Sequence, residues 1–130
     1  MPKQPSSQGK LAIQTVAMPA DTNFNGDIFG GWLVSHMDMA GANEGRYRAR
    51  SRVVTAAIDS LVFIKPVYVG DTVYCYANLL KVGRTSMQFK IEVWTLSIPR
   101  SSKKREKVAE GIFTFVAIDK NGKPHPVDRS

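Results

Sequence analysis

The apolar residues of this chain follow a helical period early on and an alternating period later. Between residues 29 and 43 they recur at intervals of three and four, which predicts one face of an amphipathic helix. The apolar set on this face is Phe29, Leu33, Met37 and Ala40. Asn43 and Gly45 are residue types that commonly end helices, so we expect the helix to end there.

Beyond this helix the period changes to two, and β-branched and aromatic residues become frequent. Together with one earlier segment, the predicted strands are residues 11–18, 53–64, 72–82, 85–96 and 107–118. The short link Gly83-Arg84 favours an antiparallel hairpin. One helix of about four turns cannot cover both faces of five strands, so we expect an α+β fold in which the sheet curls around the helix. The edge and face that stay uncovered predict a homo-oligomer.

The length of 130 residues fits a single domain, which we assign to residues 9–127, with tails at residues 1–8 and 128–130. No apolar run is long enough to span a membrane, and residues 1–10 lack the apolar segment of a secretory signal. The single cysteine, Cys75, can form no internal disulfide. We therefore expect a cytoplasmic protein with Cys75 buried or half-buried in a strand.

The net charge of +7 indicates an affinity for anions. The cations concentrate in residues 46–52 and 100–107, and the second group falls largely in a polar loop, residues 97–106, that we expect to be exposed and mobile. A phosphorylated ligand, a nucleic acid or a solvated basic surface would each fit this charge. Charge alone does not choose between them.

Asp38 lies in the middle of the predicted helix, among apolar and small neighbours. Aspartate is rarely fully buried unless it is paired or functional. One hypothesis makes Asp38 a general base or a nucleophile in a partly dry cleft. The alternative is a structural acid that caps a backbone group or pairs with an arginine such as Arg84.

Gly30 and Gly31 open the predicted helix. Their N–H groups, aided by the helix dipole, are candidates to bind a carbonyl oxygen as it gains charge, and tight packing is the alternative. Gly30 and Asp38 are eight residues apart, about 12 Å along one helix. If both act on one carbonyl, they must come from two protomers, which predicts a dimer independently of the sheet edge.

Three polar residues precede the helix. We expect Asn25 to hold the loop in an Asx turn and Asp27 to cap the helix, whereas Asn23 either holds the loop or orients a water or a carbonyl. His36 and Asp38 are two residues apart and face different sides of the helix, so they form no catalytic pair. The chain has no Cys/His cluster for zinc and no phosphate-binding glycine motif.

Four motifs resemble those of the hotdog-fold acyl-CoA thioesterases of the YciA type: N-G-D-I-F-G-G-W, M-D-x-A-G, F-I-K-P-V-x-V-G-D and K-V-G-R-T-S. The resemblance covers about residues 10–127. It implies a five-stranded antiparallel sheet wrapped around one long central helix, in dimers that assemble as trimers of dimers. It also implies hydrolysis of acyl-CoA without metal or organic cofactor, with coenzyme A only as part of the substrate and product.

By position, the resemblance makes Asp38 the catalytic acid and Asn23 the active-site asparagine, from opposite subunits. The N–H of Gly30 or Gly31 would polarise the thioester carbonyl. Whether Asp38 activates a water or attacks directly stays open at this point.

The K-V-G-R-T-S hairpin resembles the segment that meets coenzyme A in this family. The residues assigned to coenzyme A binding are Arg84, Thr85, Ser86 and, in the F-I-K-P motif, Lys65. The apolar residues expected to line an acyl tunnel are Phe24, Trp32 and Phe63. The competing interpretation is a non-catalytic hotdog module that binds coenzyme A or nucleic acid through its basic segments.

Overall fold

The computed structural model describes residues 9–97 and 104–129. Its elements are β1 Lys10–Val16, a 3-10 turn Pro19–Asp21, α1 Gly30–Ala49, β2 Arg52–Phe63, β3 Thr72–Val82, β4 Ser86–Leu96 and β5 Glu106–Ile118. The strands form one antiparallel sheet in the order β1-β3-β4-β5-β2. The expected α+β architecture of one long helix packed against a five-stranded antiparallel sheet is confirmed.

Helix α1 packs against the sheet face that carries the alternating apolar side chains. On β4 the buried members of this face are Met87, Phe89, Ile91 and Val93. The helix comes closest at Gly41, where a Cβ atom would lie 2.6 Å from the ring of Phe115. Only glycine therefore allows the helix to approach this face as closely as it does.

The helix is longer than predicted, because neither Asn43 nor Gly45 ends it. Gly45 is buried and faces β4, with a Cβ position 3.6 Å from the Met87 side chain. Here glycine serves close packing and not termination. The helix instead ends six residues after Asn43, and Arg50 takes the left-handed conformation, with φ of 55°, that terminates it.

The strand bounds agree with the sequence pattern to within two residues at each end, and those of β3 match it fully. Residues 1–8, 98–103 and 130, which include the predicted N-terminal tail and most of the basic loop, lie outside the described residues. Cys75 is fully buried in β3 as expected, and burial raises the pKa of its thiol to about 12. Within the described ranges, α1 is too polar to cross a membrane.

Among the described residues, strand β2 forms one edge of the sheet and pairs only with β5. Most of its residues are exposed, and the large apolar ones among them are Val54, Ile58, Val62 and Phe63. Its other edge presents unpaired backbone N–H and C=O groups over 12 residues. Natural proteins seldom leave so long an edge uncovered, so β2 is the surface best suited to pairing with a second copy.

Candidate active site

The N-terminal end of α1 leaves backbone donors free. Phe29 occupies the N-cap position and offers no side-chain hydrogen bond to the first turn. Trp32 N donates to Phe29 O at 3.1 Å, whereas the N–H groups of Gly30 and Gly31 meet no acceptor in the described part of the chain. Both glycines are exposed. Free N–H groups at the positive end of a helix dipole form a binding point for an anion or a polarised carbonyl.

The loop before α1 is held by Asn23. Its Oδ1 atom accepts hydrogen bonds from the backbone N–H groups of Asn25, at 2.8 Å, and Asp27, at 3.1 Å. The prediction that Asn25 forms the Asx turn is therefore wrong, because Asn23 supplies the side chain and Asn25 only a backbone donor. Asp27 does not cap the helix as predicted, since the N-cap is Phe29, which no side-chain hydrogen bond assists.

The use of the Asn23 oxygen has a consequence for its nitrogen. The side chain is exposed, and its NH₂ group has no acceptor among residues 9–97 and 104–129. The loop therefore fixes the amide by one end and presents the other end to solvent. Such a group is a preorganised donor at the mouth of the neighbouring cleft.

A cleft of about 370 Å³ lies beside the start of α1. It is lined by Asn23, Gly30, Phe63, Ile64 and Lys65, among others. This volume and its mainly apolar lining with a few polar groups are typical of small-molecule sites. The cleft brings Asn23, Gly30 and Lys65 together, as three of the predicted site residues, while Lys65 Nζ also contacts Glu106 Oε2 at 3.1 Å.

Two of the three predicted tunnel residues lie elsewhere. Trp32 is buried on the first turn of α1, and Phe24 is fully exposed on the loop. Only Phe63 lines the cleft, with its ring 3.3 Å from the position of a Cβ on Gly30. The apolar character of a residue in the sequence did not show whether its side chain lies in the core or lines the cleft.

Asp38 is half-buried in the middle of α1 and faces β2. Its Oδ1 atom accepts a hydrogen bond from Thr55 Oγ1 at 2.5 Å. The alternative pairing with Arg84 is not observed between these two described residues. One carboxylate oxygen is thus fixed by a hydroxyl, and the other is left to interact with a ligand or a water.

Sequence reasoning missed Thr55. It lies 17 residues after Asp38 and on the edge strand, so no local spacing links the two. The available signal was a threonine on the helix-facing side of a predicted strand, where an apolar residue would be expected. Its hydroxyl orients the carboxylate that the resemblance marks as catalytic.

The hairpin between β3 and β4 lies at the opposite end of α1 from the cleft. Arg84 O accepts a hydrogen bond from Val127 N at 2.8 Å, and nearby Arg129 donates to Ala49 O, at the end of the helix. About 28 Å of helix separates this end from Gly30. Within one protomer, Lys65 and the Arg84-Thr85-Ser86 group therefore cannot contact the same part of a ligand.

His36 has a structural role. Its Nδ1 atom lies 2.9 Å from Trp32 O, and its ring centroid lies 4.0 Å from that of Trp32. In the described ranges no three His, Cys, Asp or Glu side chains converge in a way that would hold a metal ion.

The chain is similar to known proteins over most of its length. Residues 25–100 match the sequence profile of the Thioesterase superfamily. The acyl-CoA thioester hydrolase YciA of Salmonella typhimurium is 49% identical over 121 residues, which cover 92% of this chain and 91% of that protein.

Two crystal structures are similar over nearly the whole chain. HI0827, a hexameric broad specificity acyl-coenzyme A thioesterase, has a TM-score of 0.89 and 50% identity, covering 96% of this chain and 85% of that chain. The hexameric thioesterase y2039 from Yersinia pestis has a TM-score of 0.89 and 47% identity, covering 95% of this chain and 99% of that chain.

Proposed function

This chain belongs to the thioesterase superfamily, and from that membership we infer that it hydrolyses acyl-CoA thioesters in an active site shared between two protomers. The products are a free carboxylic acid and coenzyme A. The observation that carries the inference is the nearly full-length match to an acyl-CoA thioester hydrolase. The free donors at the start of α1 and the oriented acid farther along it supply the groups that such a reaction needs.

The shared site follows from the spacing of these groups. Gly30 and Asp38 are about 12 Å apart along one straight helix, too far to contact one carbonyl and its attacking water. A second protomer that pairs through β2 would bring its own helix alongside, since Thr55 and Asp38 lie at that edge. Asp38 of one protomer would then face Asn23, Gly30 and Gly31 of the other.

In the hydrolytic route, Asp38 accepts a proton from a water molecule as the water oxygen attacks the thioester carbonyl. The oxyanion of the tetrahedral intermediate accepts hydrogen bonds from Gly30 or Gly31 of the other protomer. The C–S bond then breaks, and the leaving thiolate of coenzyme A takes up the proton that Asp38 accepted, which regenerates the carboxylate. The NH₂ group of Asn23 donates a hydrogen bond to the water or to the carbonyl oxygen.

Direct attack by Asp38, through a short-lived anhydride, is the second route. In either route the hydrogen bond from Thr55 fixes one carboxylate oxygen and orients the group. A thioester carbonyl is electrophilic enough to need no metal or organic cofactor. Coenzyme A enters only as part of the substrate.

Arg84 is proposed to contact the phosphates of coenzyme A. It is exposed on the tip of the β3–β4 hairpin, and its guanidinium has no partner within the described ranges. The hairpin lies at the C-terminal end of α1, about 16 Å of helix beyond Asp38, and the pantetheine arm would bridge from a thioester at Asp38 to Arg84. Thr85 and Ser86, which follow Arg84 in the hairpin, are proposed to bind coenzyme A beside it. Lys65 is proposed to bind coenzyme A from the cleft of the other protomer.

The assembly is proposed to be a trimer of dimers. HI0827 and y2039 are both hexameric, and the exposed edge of β2 supplies the first of the two contact surfaces that such an assembly needs. The cytoplasmic location stays a prediction from the single buried cysteine.

Release of thiol from a panel of acyl-CoA substrates tests the proposed function. We expect Asp38→Asn to lower kcat by about a hundredfold or more, with an unchanged melting temperature. Glu44→Gln is the matched control, because it makes the same change on the same helix at a residue that only pairs with Lys10 at 3.7 Å. Burial of Cys75 keeps it from reacting with the thiol reagent.

Two results would contradict the proposal. One is an Asp38→Asn variant that turns over at the wild-type rate. The other is wild-type protein that releases no thiol from any acyl-CoA but binds RNA with a steep dependence on salt, which would favour the binding module.

A further inference from the structure

The last described residues do not form a free tail. Residues 124–129, here the C-terminal segment, run from the end of β5 back across the end of α1. The Val127 side chain is 3% exposed and belongs to the hydrophobic core. Residues 128 and 129, which the sequence analysis assigns to a tail, both contact the helix end: Asp128 binds Arg48 Nη1 at 2.7 Å, and Arg129 binds backbone carbonyls.

One end of this segment is fixed by Arg129. Its Nη2 atom donates to Ala49 O at 2.8 Å and to Arg50 O at 3.3 Å, and its Nη1 atom donates to Pro126 O at 2.7 Å. Ala49 O and Arg50 O lie at the C-terminal end of the helix, where the last carbonyls have no intrahelical donor, whereas Pro126 O belongs to the segment itself. A cation at the helix end is favoured by the helix dipole as well. Arg129 therefore ties the segment to α1 in a defined position.

Two residues before Arg129, the segment also holds the hairpin that carries Arg84. Val127 N donates to Arg84 O at 2.8 Å, and the preceding strand contributes the contact from Ala117 N to Thr85 O at 2.9 Å. Within the hairpin itself, Gly83 N donates to Ser86 O at 2.8 Å. The backbone at Arg84 is thus held from outside the hairpin by Val127, while its side chain is free to bind a ligand.

We propose that the C-terminal segment positions Arg84 for the phosphates of coenzyme A, with Arg129 as the positioning residue that fixes the segment. The proposal rests on the proposed function, because it assumes that Arg84 binds coenzyme A during thioester hydrolysis. Arg129 does not touch the substrate. It acts through Val127 and the backbone of Arg84, so its loss loosens the hairpin and weakens substrate binding while the chemistry at Asp38 is unaffected.

The test compares an acyl-CoA with the acyl-pantetheine thioester of the same acid, which has the same reacting bond but none of the nucleotide phosphates. We expect Arg129→Ala to raise KM for acyl-CoA by about threefold to tenfold, in the range of coupling between neighbouring groups. We expect kcat, and both constants for acyl-pantetheine, to stay at wild-type values. Lys123→Ala is the matched control, because it removes the same charge near the same end of the molecule from an exposed side chain.

A double variant distinguishes the positioning of Arg84 by Arg129 from a general attraction between the charge of Arg129 and the phosphates of coenzyme A. If Arg129 acts through Arg84, Arg84→Ala combined with Arg129→Ala raises KM no further than Arg84→Ala alone. Arg129→Lys keeps the charge but lacks the planar fork that reaches several carbonyls, so it should show an intermediate KM. This variant also serves if Arg129→Ala does not fold.

Several outcomes would overturn the proposal. They are equal KM values for Arg129→Ala and Lys123→Ala, additive effects of the Arg84 and Arg129 changes, and a parallel loss of kcat on both substrates. If Arg84→Ala itself leaves KM unchanged, the positioning role fails although hydrolysis stands. An absence of hydrolysis by the wild-type protein would instead refute the proposed function.

Discussion

The two ends of α1 are built in opposite ways. At the N-terminal end, Gly30 and Gly31 expose their N–H groups, and no side chain caps them. At the C-terminal end, Arg50 closes the helix in a left-handed conformation, and Arg129 donates to the last carbonyls. One helix thus leaves its donors free at one end and pairs its acceptors at the other.

This difference separates function from stability along a single element. Uncapped N–H groups cost the fold a stabilising interaction of about 1 kcal/mol, which is tolerable where a substrate supplies the missing acceptor. The C-terminal end, here the closed end, stabilises the helix and fixes the β3–β4 hairpin. Changes at the N-terminal end, here the open end, should therefore reduce turnover without unfolding the protein. Changes at the closed end should alter stability or substrate binding without altering the chemistry.

The largest effect is expected at Asn23, beside the open end. Asn23→Asp keeps the oxygen that accepts from Asn25 N and Asp27 N but loses the NH₂ donor, whereas Asn23→Ala loses both. We expect kcat to fall by about a hundredfold or more in both variants, with a melting temperature near wild type for Asn23→Asp. Asn25→Ala is the control within the loop. Wild-type turnover by Asn23→Asp would show that the NH₂ group is dispensable.

The hydroxyl of Thr55 gives the next effect. Thr55→Val keeps the shape of the side chain and removes the hydrogen bond to Asp38. A hydrogen bond to a charged group contributes about 1.5–3 kcal/mol, so we expect kcat to fall by about tenfold to a hundredfold. Thr55→Ser, which keeps the hydroxyl, should retain most of the turnover. If Thr55→Val matches Thr55→Ser in steady-state kinetics, the positioning of Asp38 by Thr55 is wrong.

The substitution of glycine by alanine can be compared at two positions of α1, one at the open end and one in the packed middle of the helix. A Cβ on Gly41 would lie 2.6 Å from the Phe115 ring, while on Gly31 the nearest atom, in Phe29, is 3.4 Å away. We expect Gly41→Ala to lower the free energy of unfolding by about 1–3 kcal/mol and Gly31→Ala to lower it by much less. Urea titration measures both. Equal losses would mean that α1 does not approach β5 as closely as described.

The smallest effect is expected at the exposed ion pair of the closed end. The hydrogen bond from Arg48 holds the pKa of Asp128 below its ordinary value of 3.8. A lowered pKa in the folded state means that the pair stabilises the fold above pH 3.8 and that this contribution is lost as the pH falls below that value. Asp128→Asn should therefore lower the melting temperature slightly at neutral pH and not at all in strong acid. A difference that persists or grows in acid would exclude this cause.

Much of the fold could be predicted because burial of one face sets the period of each element. The helix, the five strands and their antiparallel character all follow from that period. The helix end could not be predicted, because the structural role of Gly45 depends on its packing against the Met87 side chain across the core. A glycine that ends a helix and a glycine that packs a helix look the same in the sequence.

In the candidate site, too, some residues could be predicted from the sequence and others could not. Asp38, Gly30 and Gly31 stand out locally, as an acid in an apolar helix and as glycines at its start. Asn23 holds the loop, which was one of its two predicted roles, and Asn25 does not, since composition does not tell which amide accepts from the loop backbone. Thr55 and Arg129 were missed, because their partners are 17 and 80 residues away along the chain and no local spacing links them.

The central claim, that each active site takes Asp38 from one protomer and Asn23 from the other, can be tested by mixing two inactive variants. Co-expression of Asp38→Asn and Asn23→Ala chains in equal amounts gives mixed dimers in which one of the two sites has only wild-type residues. We expect the mixture to recover about a quarter of the wild-type kcat, because about half of the dimers are mixed. If each protomer holds a complete site, the mixture will instead show no more activity than the mean of the two variants.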